Sequence, residues 1–227
     1  NYRPISLTSC MSKILERILN RRLQWTLESK NLLNEHQSGF RKKRGTIDNI
    51  AYITDEIQKG FFEQKQTVAI FIDITKAYDR TRKDVIIDSL INLGFKGKLV
   101  NYVYNFLTDR TFEIQLGGTK SDQGKMELGI PQGSVISCTL FNIVFNDILN
   151  QIDQPTKYCA YADDLVIFLK GKTTKVIEQQ LQSTLNKIDM TMKYKGLEIS
   201  KDKTKCMLFS TKHKKNIVVP RITLDGQ

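Results

Sequence analysis

An α+β fold, in which helices lead into a sheet of strand, helix, strand, strand, helix, strand order, is predicted by three observations. Apolar side chains in residues 11–61 recur at helical period. Two later apolar runs, residues 68–72 and 165–169, are too short for helices and read as strands. From residue 67 onward, with an insertion at about 82–130 set aside, the elements follow that six-part order.

Thr8 or Ser9 can cap the first helix, because a side-chain oxygen there satisfies a backbone N–H that the helix leaves open. Its apolar residues Met11, Ile14, Leu15, Ile18, Leu19 and Leu23 keep the 3.6-residue period, and it stops at the Ser29-Lys30-Asn31 break. A polar and basic stretch, Gln37-Ser38-Gly39-Phe40-Arg41-Lys42-Lys43-Arg44-Gly45, precedes a second helix capped by Thr46, with Ile47, Ile50, Ile53, Ile57 and Phe61 on one face. Val68-Ala69-Ile70-Phe71-Ile72 is a continuous apolar run, as in a strand covered on both faces, and it ends at Asp73. Residues 82–109 read as two short helices around Gly94-Phe95-Lys96-Gly97, and residues 111–116 as a strand turning at Gly117-Gly118. Beyond the Gly129-Ile130-Pro131-Gln132-Gly133 loop, residues 134 to about 150 are apolar nearly all round, as a deeply buried helix is.

Lys157-Tyr158-Cys159-Ala160-Tyr161-Ala162 and Leu165-Val166-Ile167-Phe168-Leu169 form a hairpin with Asp163 and Asp164 in its tight turn. From Thr173 a helix carries Ile177, Leu181, Leu185, Ile188 and Met192 inward and stops at Gly196, with Lys193 and Lys195 favourably placed in its last turn. A strand over 205–210 precedes a Lys-rich tail. The order is the split βαβ, ferredoxin-like plan. If its first and third strands are central, Asp73 comes beside Asp163 and Asp164 at one edge of the sheet. Each acid alone reads as an ordinary turn or strand-end residue; together they raise one another's pKa unless a cation compensates.

Composition narrows the chemistry. With 40% hydrophobic residues the 227-residue chain can build a core, and no run reaches the ~18 apolar residues of a membrane span. A net charge of +11 points to a polyanionic partner. The four cysteines, Cys10, Cys138, Cys159 and Cys206, form no C-x-x-C pair and read as reduced residues of an intracellular protein. Two distant histidines, His36 and His213, argue against zinc or a Ser-His site, and no Gly-rich phosphate loop is present. Carboxylates in a basic chain instead suit hard divalent cations and phosphoryl transfer.

Three segments then stand out together: Phe71-Ile72-Asp73-Ile74-Thr75-Lys76-Ala77-Tyr78-Asp79, Gly129-Ile130-Pro131-Gln132-Gly133-Ser134 and Tyr161-Ala162-Asp163-Asp164. They resemble motifs A, B and C of reverse transcriptases, in order and at the proper spacing. Tyr2-Arg3-Pro4-Ile5-Ser6-Leu7, the element at 37–41 and the segment from Gly196-Leu197 to Lys203-Thr204 resemble the enzymes of non-LTR, LINE-type retrotransposons of a jockey-like kind. The resemblance covers essentially the whole chain. Group II intron maturases and telomerase-type polymerases are its nearest rivals, and the 37–41 element with the insertion before motif B favours the LINE type.

The resemblance implies a right-hand polymerase, with mostly helical fingers over 1–66 and a palm over 67–227. Thumb and endonuclease would lie outside these residues, in a longer polyprotein. It implies RNA-directed DNA synthesis from a DNA primer on an RNA template with dNTPs, in nucleus and cytoplasm, with two Mg²⁺ ions, Mn²⁺ substituting, and no membrane. Asp73, Asp163, Asp164 and the Ile74 carbonyl would hold the metals; Asp164 also reads as a turn residue that tunes its neighbour. Lys203 would protonate the leaving group, with Lys201 and Lys205 close by in sequence. Tyr78 would be the steric gate against a 2′-hydroxyl, or simply a core aromatic. Arg3, Lys76, Ala77 and Gln132 would bind the nucleotide, although Arg3 also reads as a solvated end. Gln37, Arg41, Lys42, Lys43, Arg44 and Gly133 would meet nucleic acid; the basic run reads equally as a solvated loop or a nuclear-targeting signal. The family usually reads Gly-Ser-Val-Leu-Ser-Pro-Leu-Leu-Phe after the motif B glutamine, whereas this chain has Cys138 and Thr139 for the Pro and following Leu. Both are small enough to be tolerated. A noncatalytic RNA-binding relic, stacking bases on Tyr158, Tyr161 and Phe168, is the rival from another class, and the intact acids argue against it.

Overall fold

In the computed structural model of the chain, which describes residues 5–211 and 219–224, Ser9 caps the first helix: its hydroxyl accepts from the Ser12 N–H at 3.1 Å. In chain order the elements are α1 (Cys10–Ser29), α2 (Thr46–Phe62), β1 (Gln66–Ile72), α3 (Ala77–Arg80), α4 (Lys83–Asn92) and α5 (Lys98–Leu107). Next come the short strands β2 (Arg110–Phe112), β3 (Gln115–Leu116), β4 (Thr119–Lys120) and β5 (Gly124–Met126). Then follow α6 (Ser137–Leu149), β6 (Lys157–Tyr161), β7 (Asp164–Gly171), α7 (Thr174–Tyr194) and β8 (Lys205–Phe209).

Two compact units result, residues 1–32 with 76–144 and residues 33–75 with 145–227. They interleave along the chain. Among the described residues no helix is long and apolar enough to cross a membrane.

In the first unit, α1 differs from its sequence pattern. Met11 and Ile18, on the periodic apolar stripe, are 76% and 51% exposed, and Ile14, Leu15 and Trp25 are exposed on the same side. The buried side carries Glu16, Leu23 and Leu27. A periodic stripe identifies a face but not which way it turns, and here the inward face includes a carboxylate. The expected strand over 111–116 is broken at Glu113 and Ile114: β2 pairs with β5, and β3 with β4. Gly117 and Gly118 both take positive φ in the two-residue turn, which glycine adopts without strain. Helix α6 starts three residues later than the apolar run suggests, because residues 134–136 turn toward Glu16, and it is buried at every position except the half-buried Cys138 and Asp147.

The second unit holds an antiparallel sheet of order β6-β7-β1-β8, so β1 and β7 are central, with Ile70 opposite Ile167 on one side and Cys206 on the other. One pleat face, Ala69, Phe168 and Cys159, packs with Tyr52 and Ile53 of α2. The cap of that helix is Gly45 rather than the expected Thr46, which is the first helical residue: the Gly45 N–H donates to Asp48 at 2.7 Å. Ile47 and Ile50 of its predicted face are exposed, while Gly60 lets the helix approach Thr67, whose Oγ1 would stand 2.7 Å from any Cβ at that position. The opposite pleat face buries Val68, Ile70, Ile72, Leu165 and Ile167, each such side chain stabilising by about 1.5–3 kcal/mol. Helix α7 packs on β1 and β7 and buries the five apolar residues its period marks.

Candidate active site

The second unit assembles the acids. Asp73 follows β1 directly, and the segment between α7 and β8 ties its backbone down. The Asp73 carbonyl accepts from Ser200 N–H at 2.8 Å, the Asp73 N–H donates to Thr204 Oγ1 at 3.3 Å, and the Thr75 N–H donates to the Glu198 carbonyl at 2.8 Å. Ile74 lies between these ties, bridged to Ile199. The same segment delivers Lys203, whose Nζ is 3.4 Å from Asp73 Oδ1. Lys205 instead donates to the Asp202 carbonyl at 2.7 Å. Thr204 and Ser200 lie in the 196–204 segment that the sequence singles out, but their anchoring of Asp73 is visible only in the structure.

Asp163 sits in the hairpin turn behind Ala162, whose φ is +57°, and Asp164 opens β7 opposite Tyr161. The acids thus divide: one occupies the turn and the other the strand. The turn is held by Gln37. Its side chain is buried, its Nε2 donates to the Ala162 carbonyl at 3.0 Å, and its Oε1 accepts from the Ala162 and Gly39 N–H groups at 3.0 and 2.9 Å. Gln37 therefore braces the Asp163 turn, with its side-chain amide bonded to backbone on both sides. Arg41 does related work, donating to the Asn34 and Gln37 carbonyls at 2.6 and 3.0 Å. Lys42, Lys43 and Arg44 are exposed.

Electrostatics show that the acids feel one another. The Asp164 carboxyl is raised above its usual range, first by partial burial and then by the charges of Asp163 and Asp73. Asp73 Oδ1 is shielded from water and accepts no hydrogen bond. Among the described residues no group of three or more His, Cys, Asp or Glu side chains is placed to hold a metal ion by itself. A buried, unbonded carboxylate oxygen beside a strained like-charge pair fits a divalent cation that completes its sphere with water and substrate oxygens.

The folded chain holds the Asp164 proton more tightly than the unfolded chain does. Ionisation as pH rises through the carboxylate range therefore removes stability, and the loss persists at neutral pH. Asp164→Asn is expected to melt higher than the native chain at pH 7 in EDTA. The difference should vanish near pH 4 and shrink in millimolar Mg²⁺. Equal melting at pH 7 in EDTA would show that neither burial nor the neighbouring charges strain the ionised Asp164.

The first unit holds the other predicted residues. Lys76 takes left-handed φ +46° and is exposed, Ala77 is buried, and the Tyr78 ring stacks on Phe141 with centroids 4.9 Å apart. The Tyr78 carbonyl accepts from Ile130 N–H at 2.7 Å. Gly129 has φ +85°, and a Cβ there would fall 2.8 Å from the Asp79 carbonyl oxygen. Gln132 donates from Nε2 to Asp79 Oδ1 at 2.7 Å, its carbonyl accepts from Ser6 N–H at 2.7 Å, and exposed Gly133 follows at φ +100°. Burial pushes the Cys138 thiol up, against a hydrogen bond with Tyr78; Thr139 Oγ1 accepts from Gln24 at 3.2 Å. Both departures are thus accommodated. Arg3 lies outside the described residues. Asp79 and Glu16 were missed as partners of the Gln132 loop; the one signal was a lone acid on the otherwise apolar side of α1.

Residues 1–219 match the family described as reverse transcriptase (RNA-dependent DNA polymerase). The whole chain is 29% identical to 25% of the Drosophila melanogaster protein named "Probable RNA-directed DNA polymerase from transposon BS", and 27% identical to 25% of the polymerase from mobile element jockey of the same species. Over 74% of its length it is 28% identical to a Pol polyprotein from the retrotransposable element R2 of Popillia japonica. The chain thus spans about a quarter of the length of these curated relatives. A solved telomerase from Candida tropicalis, complexed with a fragment of telomeric RNA, superposes over 88% of this chain and 35% of its own with a TM-score of 0.65 at 13% identity, a likeness of polymerase fold. With its motif acids at one sheet edge, its fold shared with a polymerase and nearly all of its length matched, the chain belongs to the reverse transcriptase family, among relatives from non-LTR retrotransposons.

Proposed function

We propose that the chain is the polymerase core of an RNA-directed DNA polymerase that extends a DNA 3′-hydroxyl with dNTPs on an RNA template. The observation that carries this is Asp73, whose Oδ1 is shielded from water, accepts no hydrogen bond and lies 3.4 Å from the Lys203 ammonium, and whose charge reaches Asp164 in the hairpin. In this reading the β6-β7-β1-β8 sheet is a ferredoxin-like palm and the helices of residues 1–66 belong to the fingers. Asp73, Asp163, Asp164 and the Ile74 carbonyl would hold two Mg²⁺ ions, or Mn²⁺ in their place, which supply charge neutralisation at the attacking and leaving oxygens.

The chain's own groups do the rest. Lys203 gives its proton to the departing pyrophosphate, and Lys76, Ala77 and Arg3 bind the triphosphate. Gln132 orients the nucleotide, while Lys42, Lys43 and Arg44 attract the phosphate backbone. The Tyr78 ring, backed by Phe141, excludes a 2′-hydroxyl. The enzyme would work inside the cell, in cytoplasm and nucleus, as part of a longer polyprotein.

Primer extension on an RNA template, by a longer chain that includes residues 1–227, tests the reading. RNA binding without incorporation would favour the noncatalytic relic. In the same assay Tyr78→Ala is expected to admit ribonucleotides, lowering the ratio of kcat/KM for dNTP over rNTP at least tenfold, about 1.4 kcal/mol of discrimination. An unchanged ratio would leave Tyr78 a packing residue.

A further inference from the structure

Glu16 is a carboxylate with no access to water on the inward face of α1. It accepts from Ser12 Oγ at 3.2 Å through Oε1, and through Oε2 from Ser134 Oγ, from Val135 N–H at 2.8 Å and from Ile136 N–H at a longer 3.5 Å. Three of these four donors belong to the turn between Gln132-Gly133 and the start of α6. Burying a carboxylate is unfavourable unless its lone pairs are filled, and here the loop fills them. An apolar residue would pack the core as well; what the carboxylate adds is a single permitted path for residues 134–136.

That path sets the place of Gln132, which is fixed from two further sides. Its carbonyl accepts from Ser6 N–H and its amide donates to Asp79, both at 2.7 Å. Gly133, at φ +100°, lies so close to Ile5 and Ser6 that a Cβ would meet each at 3.3 Å. We infer that Glu16 is a positioning residue for nucleotide selection, its carboxylate clamping the backbone just beyond Gln132 so that this side chain is ordered before the nucleotide arrives. The inference rests on the reading of Gln132 as a nucleotide contact. Ordering the loop in advance spares the nucleotide the entropy of ordering it, so the clamp acts on binding more than on the chemical step.

The test is single-nucleotide incorporation by the full polymerase that carries this domain. Glu16→Ala releases every donor and is expected to raise KM for dNTP about tenfold with kcat within about twofold, while Glu16→Gln, which keeps one acceptor oxygen, should raise it about threefold. In a Gln132→Ala background the same Glu16 changes should add little, because the side chain they position is gone. A purely structural role would lower kcat and the melting temperature together, and would add in full on Gln132→Ala; that result overturns the inference. If Gln132→Ala alone leaves KM unchanged, the nucleotide role of Gln132 fails, and the inference with it. Should Glu16→Ala not fold, Glu16→Gln and Ser134→Ala, which removes one donor, carry the same comparison, and an unchanged KM in both would refute the clamp.

Discussion

Asp73→Asn or Asp163→Asn is expected to abolish nucleotide incorporation while largely sparing RNA binding. Each substitution keeps the side-chain size and removes one negative charge. At Asp73 that charge lies in a water-shielded oxygen 3.4 Å from the Lys203 ammonium, and at Asp163 in the hairpin turn whose charge reaches Asp164. Losing a metal should remove several kcal/mol of transition-state stabilisation, each ~1.4 kcal/mol being a factor of ten in rate. Single-nucleotide extension with Mg²⁺ reads the effect, and a retained rate above about a tenth of the native value would sink the two-metal assignment. Filter binding of labelled RNA guards against the trivial explanation, since an unfolded variant would lose that too.

Gly39→Ala is expected to destabilise the second unit by about 3 kcal/mol, which in a chain of this size lowers the melting temperature by roughly 6–12 °C. A Cβ on residue 39 would lie 2.1 Å from the Ala162 nitrogen, 2.8 Å from its Cα and 3.0 Å from the Tyr161 carbonyl carbon. All three are backbone atoms of the turn that presents Asp163, so no side chain can rotate away to make room. The variant should lose activity even at temperatures where it stays folded, because relief of the clash displaces the turn. Gly45→Ala is the matched control: nothing lies within 4 Å of its Cβ, and its loss should stay near 1 kcal/mol or less. Thermal melts of the two variants give the comparison, and equal values would mean that the hairpin can yield where the geometry says it cannot.

The sheet was legible in the sequence because a strand covered on both faces is apolar at every position, and the hairpin and α7 carry equally local signals. The order of strands, with β1 and β7 central, also followed from element order. What was not legible depends on distant partners. Gln37, in a basic loop, reads as a nucleic-acid contact, yet its amide is taken up by residue 162, 125 positions away. Glu16 received no reading from the sequence, and its partner Ser134 is 118 positions away. The same blindness splits the apolar stripe of α1: Leu23 is buried beside Leu27 and Glu16, whereas Met11 and Ile18 are exposed. Lys203 could be separated from Lys205 only by the resemblance, and the 3.4 Å approach to Asp73 now gives that choice a geometric basis.

The central place of β1 has a consequence for how the chain is made. Ile70 waits for Ile167 and then for Cys206, each roughly a hundred residues or more further along. At about 5–20 residues per second, a ribosome leaves this continuous apolar strand without either neighbour for several seconds or longer. During that interval α2, already synthesised, is available to cover one of its faces. Slower synthesis between codons 72 and 164 lengthens that interval and is expected to lower the yield of soluble polypeptide. Slowing synthesis after residue 171, once β7 can pair, should be far less harmful than slowing it before.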